Sequence, residues 1–132
     1  IIMPDYSLPR VERLRSLTTI RRMFAEGKGG FVYPFRYTFL VRKNDGAEAE
    51  KGRTEVMFSV PKKFHKRANK RNLLKRRTRE AYRLSREEFQ SRVAESGAVV
   101  DVAFVYSTKE IHSYKTISYA VQRILEQIGA RL

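Results

Sequence analysis

A chain of 132 residues with 42% hydrophobic content is sized for one domain with its own core. Its formal charge of +14 calls for an anionic partner, nucleic acid before membrane, and the absence of cysteine excludes disulfides, thiolate-ligated zinc and thiol nucleophiles. No apolar run approaches the ~20 residues of a membrane span, and the first ten residues lack the basic and apolar regions of a secretory signal, so the chain reads as cytoplasmic.

Residues 1–16 hold two prolines and three arginines and are expected to form an extended basic lead-in to a single domain over 17–132. The opening Ile1-Ile2 is not an untouched translation start, which makes Met3 a candidate start. Thr18 or Thr19 can N-cap a short helix that ends near Gly27, with Ile20, Met23 and Phe24 on one face. Gly27, Gly29 and Gly30 read as a turn. Residues 31–33 follow as a short edge strand stopped by Pro34. Over 35–42 aromatic and polar residues alternate, placing Phe35, Tyr37, Phe39 and Val41 on one face of a strand. A polar loop runs from Asn44-Asp45-Gly46 to Gly52, and residues 53–60 form the next strand, ended by Pro61. These two strands are expected to pair antiparallel across that loop. A long basic helix spans from Lys66 or Ala68 to Ser96, with Gly97 as its C′ residue. The run AVVDVAFVY over 98–106 is apolar and β-branched, the pattern of a buried central strand. Ser113 can cap a last amphipathic helix with Ile117, Ala120, Val121, Ile124 and Ile128 at 3–4 spacing. The order α-(β)-β-β-α-β-α predicts an α+β fold, a two-layer sandwich of helices on a small, mostly antiparallel sheet.

The charge is not evenly spread. Between Lys62 and Arg86 twelve Lys/Arg face one acid, Glu80, so this segment carries +11 of the +14. At 100° per residue Asn72, Lys75, Arg76, Arg79, Arg83 and Arg86 fall in one arc of about 100°, and Leu73, Leu74, Ala81 and Leu84 in a roughly opposite one. One face can pack on a sheet while the other presents cations. Arg77 falls in the apolar arc and has to snorkel out along its stem. Like charges at i,i+4, as in Arg71, Lys75, Arg79 and Arg83, destabilise a helix that lacks a counter-charge, which again points to a polyanion. Arg offers a planar fork for phosphate oxygens, and Asn72 can donate to and accept from a 2′-OH or base edge. Tyr37 and Phe39 are candidate platforms for unpaired bases. A DNA-binding basic helix would need a dimerisation zipper after residue 86, and none follows. A membrane-surface helix would need large apolar residues opposite the charge, where this one has leucine and alanine.

The string KRNLLKRRTRE at 70–80 resembles the signature of the bacterial ribonuclease P protein subunit, met here by Arg71, Asn72, Lys75, Arg76 and Arg79. FSVPKKFHKRA at 58–68 is similar to the family's strand and Lys-Lys segment, and RLRSLTTIRRMFAEGK at 13–28 to its opening helix. The resemblance implies a small basic subunit of a ribonucleoprotein endonuclease. In it the RNA performs Mg²⁺-dependent removal of the 5′ leader of precursor tRNA, and the protein alone is not catalytic. It also implies a left-handed βαβ crossover, against the usual right-handed rule. The implied partners are the catalytic RNA subunit and precursor tRNA; no membrane and no obligate protein partner are implied, and the Mg²⁺ belongs mainly to the RNA. Candidate contacts to RNA are Lys66, Arg67, Lys70, Arg71, Asn72, Lys75, Arg76, Arg79 and Arg83. Candidate leader contacts, in a cleft between the first helix and the sheet, are Ile20, Phe24, Tyr37, Phe39, Lys62 and Lys63. The cleft strand aligns with the family in two registers, one turning Tyr37 and Phe39 to the leader and the other Thr38 and Leu40.

Departures from the family pattern are Ile20 at a frequently aromatic position, Met57-Phe58 for glycine-leucine, Pro61 for Ser or Thr, and Arg77 for an apolar residue. His65 and His112 are the only histidines and neither has a metal-ligand spacing around it. The GKGG at 27–30 lacks the Lys-Ser/Thr ending of a phosphate loop. Asp101, alone in its apolar run, reads as an edge or outward-facing acid. No acid/base pair suited to catalysis is apparent.

Overall fold

The structure is a computed structural model that describes residues 16–43 and 52–132. The expected lead-in up to residue 15 and the polar loop over 44–51 lie outside the described residues. In chain order the elements are α1 (Leu17–Glu26), β1 (Lys28–Val32), β2 (Phe35–Lys43), β3 (Thr54–Ser59), α2 (Ala68–Ser96), β4 (Ala98–Tyr106) and α3 (Tyr114–Gly129).

The four strands form one sheet in the order β1-β2-β4-β3. Pairs β1–β2 and β2–β4 are antiparallel, and β3–β4 is parallel with α2 as its crossover. The expected pairing of residues 35–42 with 53–60 does not occur, because β4 lies between them. The reason is apolarity. Eight of nine β4 residues are buried, and a strand with no polar face to give to solvent takes the centre of the sheet with a partner on each side.

One face of the sheet carries Phe35, Tyr37, Phe39, Val56, Val100, Val102, Phe104 and Tyr106 into the main core. Against it pack α2, through Leu74, Ala81, Tyr82, Phe89 and Val93, and α3, through Ile117, Ala120, Val121, Ile124, Leu125 and Ile128. This is the expected two-layer body. Rings join its parts: Phe58 stacks on Phe104 at 5.7 Å, and Tyr82 meets both edge-on at 5.9 and 6.1 Å. The buried stripe of α2 is rotated from the expected arc. Leu74 and Ala81 are in it, but Leu84 is 46% exposed and Thr78 is buried. Thr78 tolerates burial because its hydroxyl donates to the Leu74 carbonyl at 2.8 Å. Arg77 does snorkel, its guanidinium donating to the His112 carbonyl. Gly97 closes α2 with φ 70°, and the Ser113 hydroxyl caps α3 by accepting from Thr116 N.

The short α1 packs on the opposite face, where Met23 and Ile20 meet Leu40, Met57 and Ala103. Its N-cap is Ser16, accepting from Thr19 N, rather than either threonine, because the helix already begins at Leu17. The glycines after it are not a turn but the end of α1 and the body of β1. A side chain at Gly27 would strike the Met23 and Phe39 carbonyls, and one at Gly30 would strike the Tyr37 ring. Only glycine lets helix and edge strand approach β2 so closely.

Asp101 is fully buried, contrary to the outward-facing expectation. It lies on the α1 side of the sheet and accepts from Arg42 Nε at 2.7 Å and Nη2 at 3.0 Å. Arg42 also approaches Glu55 at 3.5 Å, and Arg53 lies 3.4 Å from Glu55. An acid in a central strand is tolerated because a neighbouring strand delivers a bidentate guanidinium. Burial, and then the nearby Asp101 charge, raise the Glu55 carboxyl above its ordinary value despite the two arginines. Asp101→Asn takes the bidentate carboxylate from the half-buried Arg42 guanidinium and is expected to lower stability by roughly 3 kcal/mol in urea denaturation. The sign is different for Glu55. A raised carboxyl favours the fold below the unfolded value, and that contribution disappears as pH rises through the folded one. Glu55→Gln is therefore expected to gain on the parent in urea midpoint as pH rises through and above the ordinary carboxylate range, and an unchanged difference would contradict this.

Candidate nucleic-acid interface

The basic run folds into two parts: the loop over 60–67, then the first five turns of α2. The loop is pinned from inside. His65 is buried, its Nε2 lies 2.8 Å from the Thr108 carbonyl, and its ring packs 5.7 Å from Tyr106. Its role is structural, which accounts for a histidine without metal-ligand company. Arg71 reaches back from α2 and donates to the carbonyls of His65 at 3.0 Å and Lys66 at 2.7 Å. Of the residues expected to touch RNA, Arg71 is thus already holding the loop that presents the others. The loop leaves Lys62, Lys63, Lys66 and Arg67 exposed.

Along α2, Asn72, Arg76 and Arg79 are exposed on the side away from the core, with Lys70, Lys75 and Arg83 half-buried beside them. Glu80 is engaged by the Arg83 guanidinium, so the single acid of the segment neutralises its neighbour three residues on. Arg76 and Arg79 carry no ion pair among the described residues. Residue Arg67 is the N-cap of α2, no side chain caps the helix, and its first turn holds no acid. The positive end of the helix dipole therefore adds to the lysines around it.

The second part of the site is the sheet face on the α1 side. Residues in register form rows across all four strands. One row is Gly29, Thr38, Ala103 and Met57; the next, away from α1, is Phe31, Arg36, Val105 and Ser59. Helix α1 roofs the first row, with Ala103 buried under Met23. The second row is at least partly exposed along its length. Lys62 and Lys63 follow Ser59 at the same end of the sheet. Ile20 is half-buried against the Met23–Ala103 cluster, whereas Phe24 is 50% exposed on α1.

Two expected cleft residues face the wrong way. Tyr37 and Phe39 are each 3% exposed, in the core under α3. The Tyr37 hydroxyl donates to Gln127 Oε1 at 2.7 Å, and the Arg131 guanidinium lies 5.6 Å from the Phe39 ring. Neither ring can take a base. Thr38 and Leu40, the alternative register, lie on the α1 side. The alternation itself was readable in the sequence, but which parity faces the two-helix layer depends on where α3 packs. Sequence reasoning also passed over Arg36 and Phe31, which the tight turn at residues 33–34 sets opposite each other.

No group of three or more His, Cys, Asp or Glu side chains able to hold a metal occurs among the described residues. The acidic pair Glu55 and Asp101 on the sheet is engaged by Arg42 and Arg53, so it does not suit a divalent cation. Among the described residues no helix is long and apolar enough to cross a membrane.

The double change Arg76→Ala, Arg79→Ala is expected to leave the urea midpoint unchanged while reducing the salt slope of RNA binding by about 1.4–1.8. Arg71→Ala behaves differently. It leaves two loop carbonyls without their charged donor and is expected to lower stability by roughly 1–3 kcal/mol. Paired denaturation and filter-binding measurements separate the two effects.

The family model for Ribonuclease P matches residues 8–129. The chain is 33% identical over 129 residues to the ribonuclease P protein component of Porphyromonas gingivalis strain W83, covering 98% of this chain and 91% of that protein. It is 36% identical over 83 residues to the ribonuclease P protein component of Chlorobaculum tepidum, covering 61% of this chain and 51% of that one. In three dimensions it is similar to the Staphylococcus aureus RNase P protein, with a TM-score of 0.68 at 16% identity over 90% of this chain and 96% of that one.

Proposed function

The chain belongs to the ribonuclease P protein family, and we propose that it is the subunit that binds the catalytic RNA and the 5′ leader of precursor tRNA, promoting Mg²⁺-dependent removal of that leader. The observation that carries this reading is the placement of the family signature. Asn72, Arg76 and Arg79 stand exposed on one side of α2 while Leu74, Ala81 and Tyr82 hold the other side in the core. Residues 17–132 act as one RNA-binding domain, with 1–16 a basic lead-in, in the cytoplasm.

The protein's part is electrostatic and positional. Two RNAs brought together repel through their phosphates. The cations of α2 and the preceding loop bind the catalytic RNA and lower that repulsion locally. If about five phosphates are neutralised, log affinity falls against log salt with a slope of about −3.5 to −4.5. The single-stranded leader runs over the exposed row of the sheet, between Phe24 on α1 and Lys62 and Lys63 beyond β3. Holding it there raises the effective concentration of the scissile phosphate at the RNA's metal site. The Mg²⁺ is held by the RNA and its substrate, a reading supported by Asp101 and Glu55 on the sheet being already paired with arginine. The protein alone does not cleave.

Reconstitution tests the reading. Added to its cognate ribonuclease P RNA at low Mg²⁺, the protein is expected to stimulate 5′ processing of precursor tRNA. Absence of stimulation would sink the proposal and leave a general RNA-binding protein as the alternative.

A further inference from the structure

We propose that Phe31, braced by Tyr33 and flanked by Arg36, forms a stacking subsite on the edge of the sheet for an unpaired nucleotide of the 5′ leader. The inference rests on the leader-binding reading above and extends it beyond the ground roofed by α1.

Phe31 is 56% exposed although its strand belongs to the sheet, so this ring contributes little to the core. It rises from the face opposite α2 and α3, in register with Arg36 on β2. On the same face of β1 the preceding position is Gly29, so β1 itself places no side chain beside the ring on the α1 side. On the other side is Tyr33, edge-on at 6.3 Å. Tyr33 does not swing freely: its hydroxyl is 3.0 Å from His112 Nε2 and 3.3 Å from Thr108 Oγ1, and its ring meets the His112 ring edge-on at 5.1 Å. Those contacts tie the β1–β2 turn to the segment between β4 and α3. Phe31 therefore leans on a fixed aromatic support and turns an open flank to solvent.

The occupant follows from charge and shape. Arg36 is exposed beside the ring, and the same row runs through Val105 and Ser59 towards Lys62 and Lys63. Three inter-strand gaps make the row about 14 Å wide. A ring with cations along its approach suits a nucleobase whose phosphates follow the cations, and such stacking tolerates any base. A double helix hides its base faces, so the ligand has to be single-stranded. Tyr37 and Phe39 are buried, which leaves Phe31 as the exposed aromatic on this face of the strands among the described residues.

The test uses holoenzyme reconstituted with the cognate RNA, and precursor tRNA carrying 2-aminopurine at successive leader positions. In the parent complex one leader position is expected to be quenched by stacking. Phe31→Ala and Phe31→Leu are expected to restore its fluorescence and to weaken leader-bearing precursor about 5- to 10-fold, with mature tRNA unaffected. Phe31→Tyr keeps the ring and is expected to retain both. Arg36→Ala is expected to reduce the salt slope for precursor by about 0.7. Unchanged affinity and quenching in Phe31→Leu overturns the subsite, as does an equal loss for mature tRNA. A parent protein that fails to stimulate the RNA at all overturns the function proposed above instead, so the two failures are distinct.

Discussion

Strand β4 has no face to give to solvent. Its valines and phenylalanine on one side meet two helices, and on the other side Ala103 lies under Met23 and Asp101 is closed off by Arg42. A strand in that position must be flanked on both edges, which draws β2 to one side and β3 to the other. The parallel β3–β4 pair then requires a long crossover, and α2 is that crossover. The cationic helix is therefore held against the sheet by the topology that buries β4.

This arrangement separates work between the two faces of the sheet. The face under α2 and α3 holds nearly all the large apolar side chains and tolerates little change. The face under α1 is only half roofed, since a ten-residue helix cannot cover four strands. The uncovered row is where an extended polymer can lie, and the ends of β3 and β4 bring Lys62, Lys63 and the start of α2 to the same edge. The loop and the start of α2 thus present one run of sequence at the edge where the uncovered row ends.

Some charges in that region serve the fold before they serve a ligand. Arg71 ties the loop to the helix, Arg77 caps a carbonyl of the next connection, and Arg83 is engaged by Glu80. Arg76 and Arg79 have no such duty among the described residues. In a segment of +11 the number of cations overstates the number available to RNA. The helix survives its like charges because its other face is in the core, where burial of Leu74 and Tyr82 outweighs repulsion across solvent.

The order of the elements was legible in the sequence, and all but β1, expected only over 31–33, rest on a local signal. The 3–4 spacing of Ile117 to Ile128, the Gly97 stop, the Ser113 cap and the β-branched run of 98–106 depend only on neighbours a few residues away. The charge of α2 and its signature were likewise a matter of spacing, and they carried the chain to its family. Tertiary structure decided what those signals leave open. Alternation over 35–42 divides Tyr37 and Phe39 from Thr38 and Leu40, yet only the packing of α3 determines which pair is covered. Asp101 is readable as an acid in an apolar run, but whether it faces water depends on Arg42 arriving from another strand. The glycines at 27–30 signal freedom, and the close approach of β2 turns that freedom into a strand. Periodicity identifies faces; long-range packing assigns them to core, cleft or solvent.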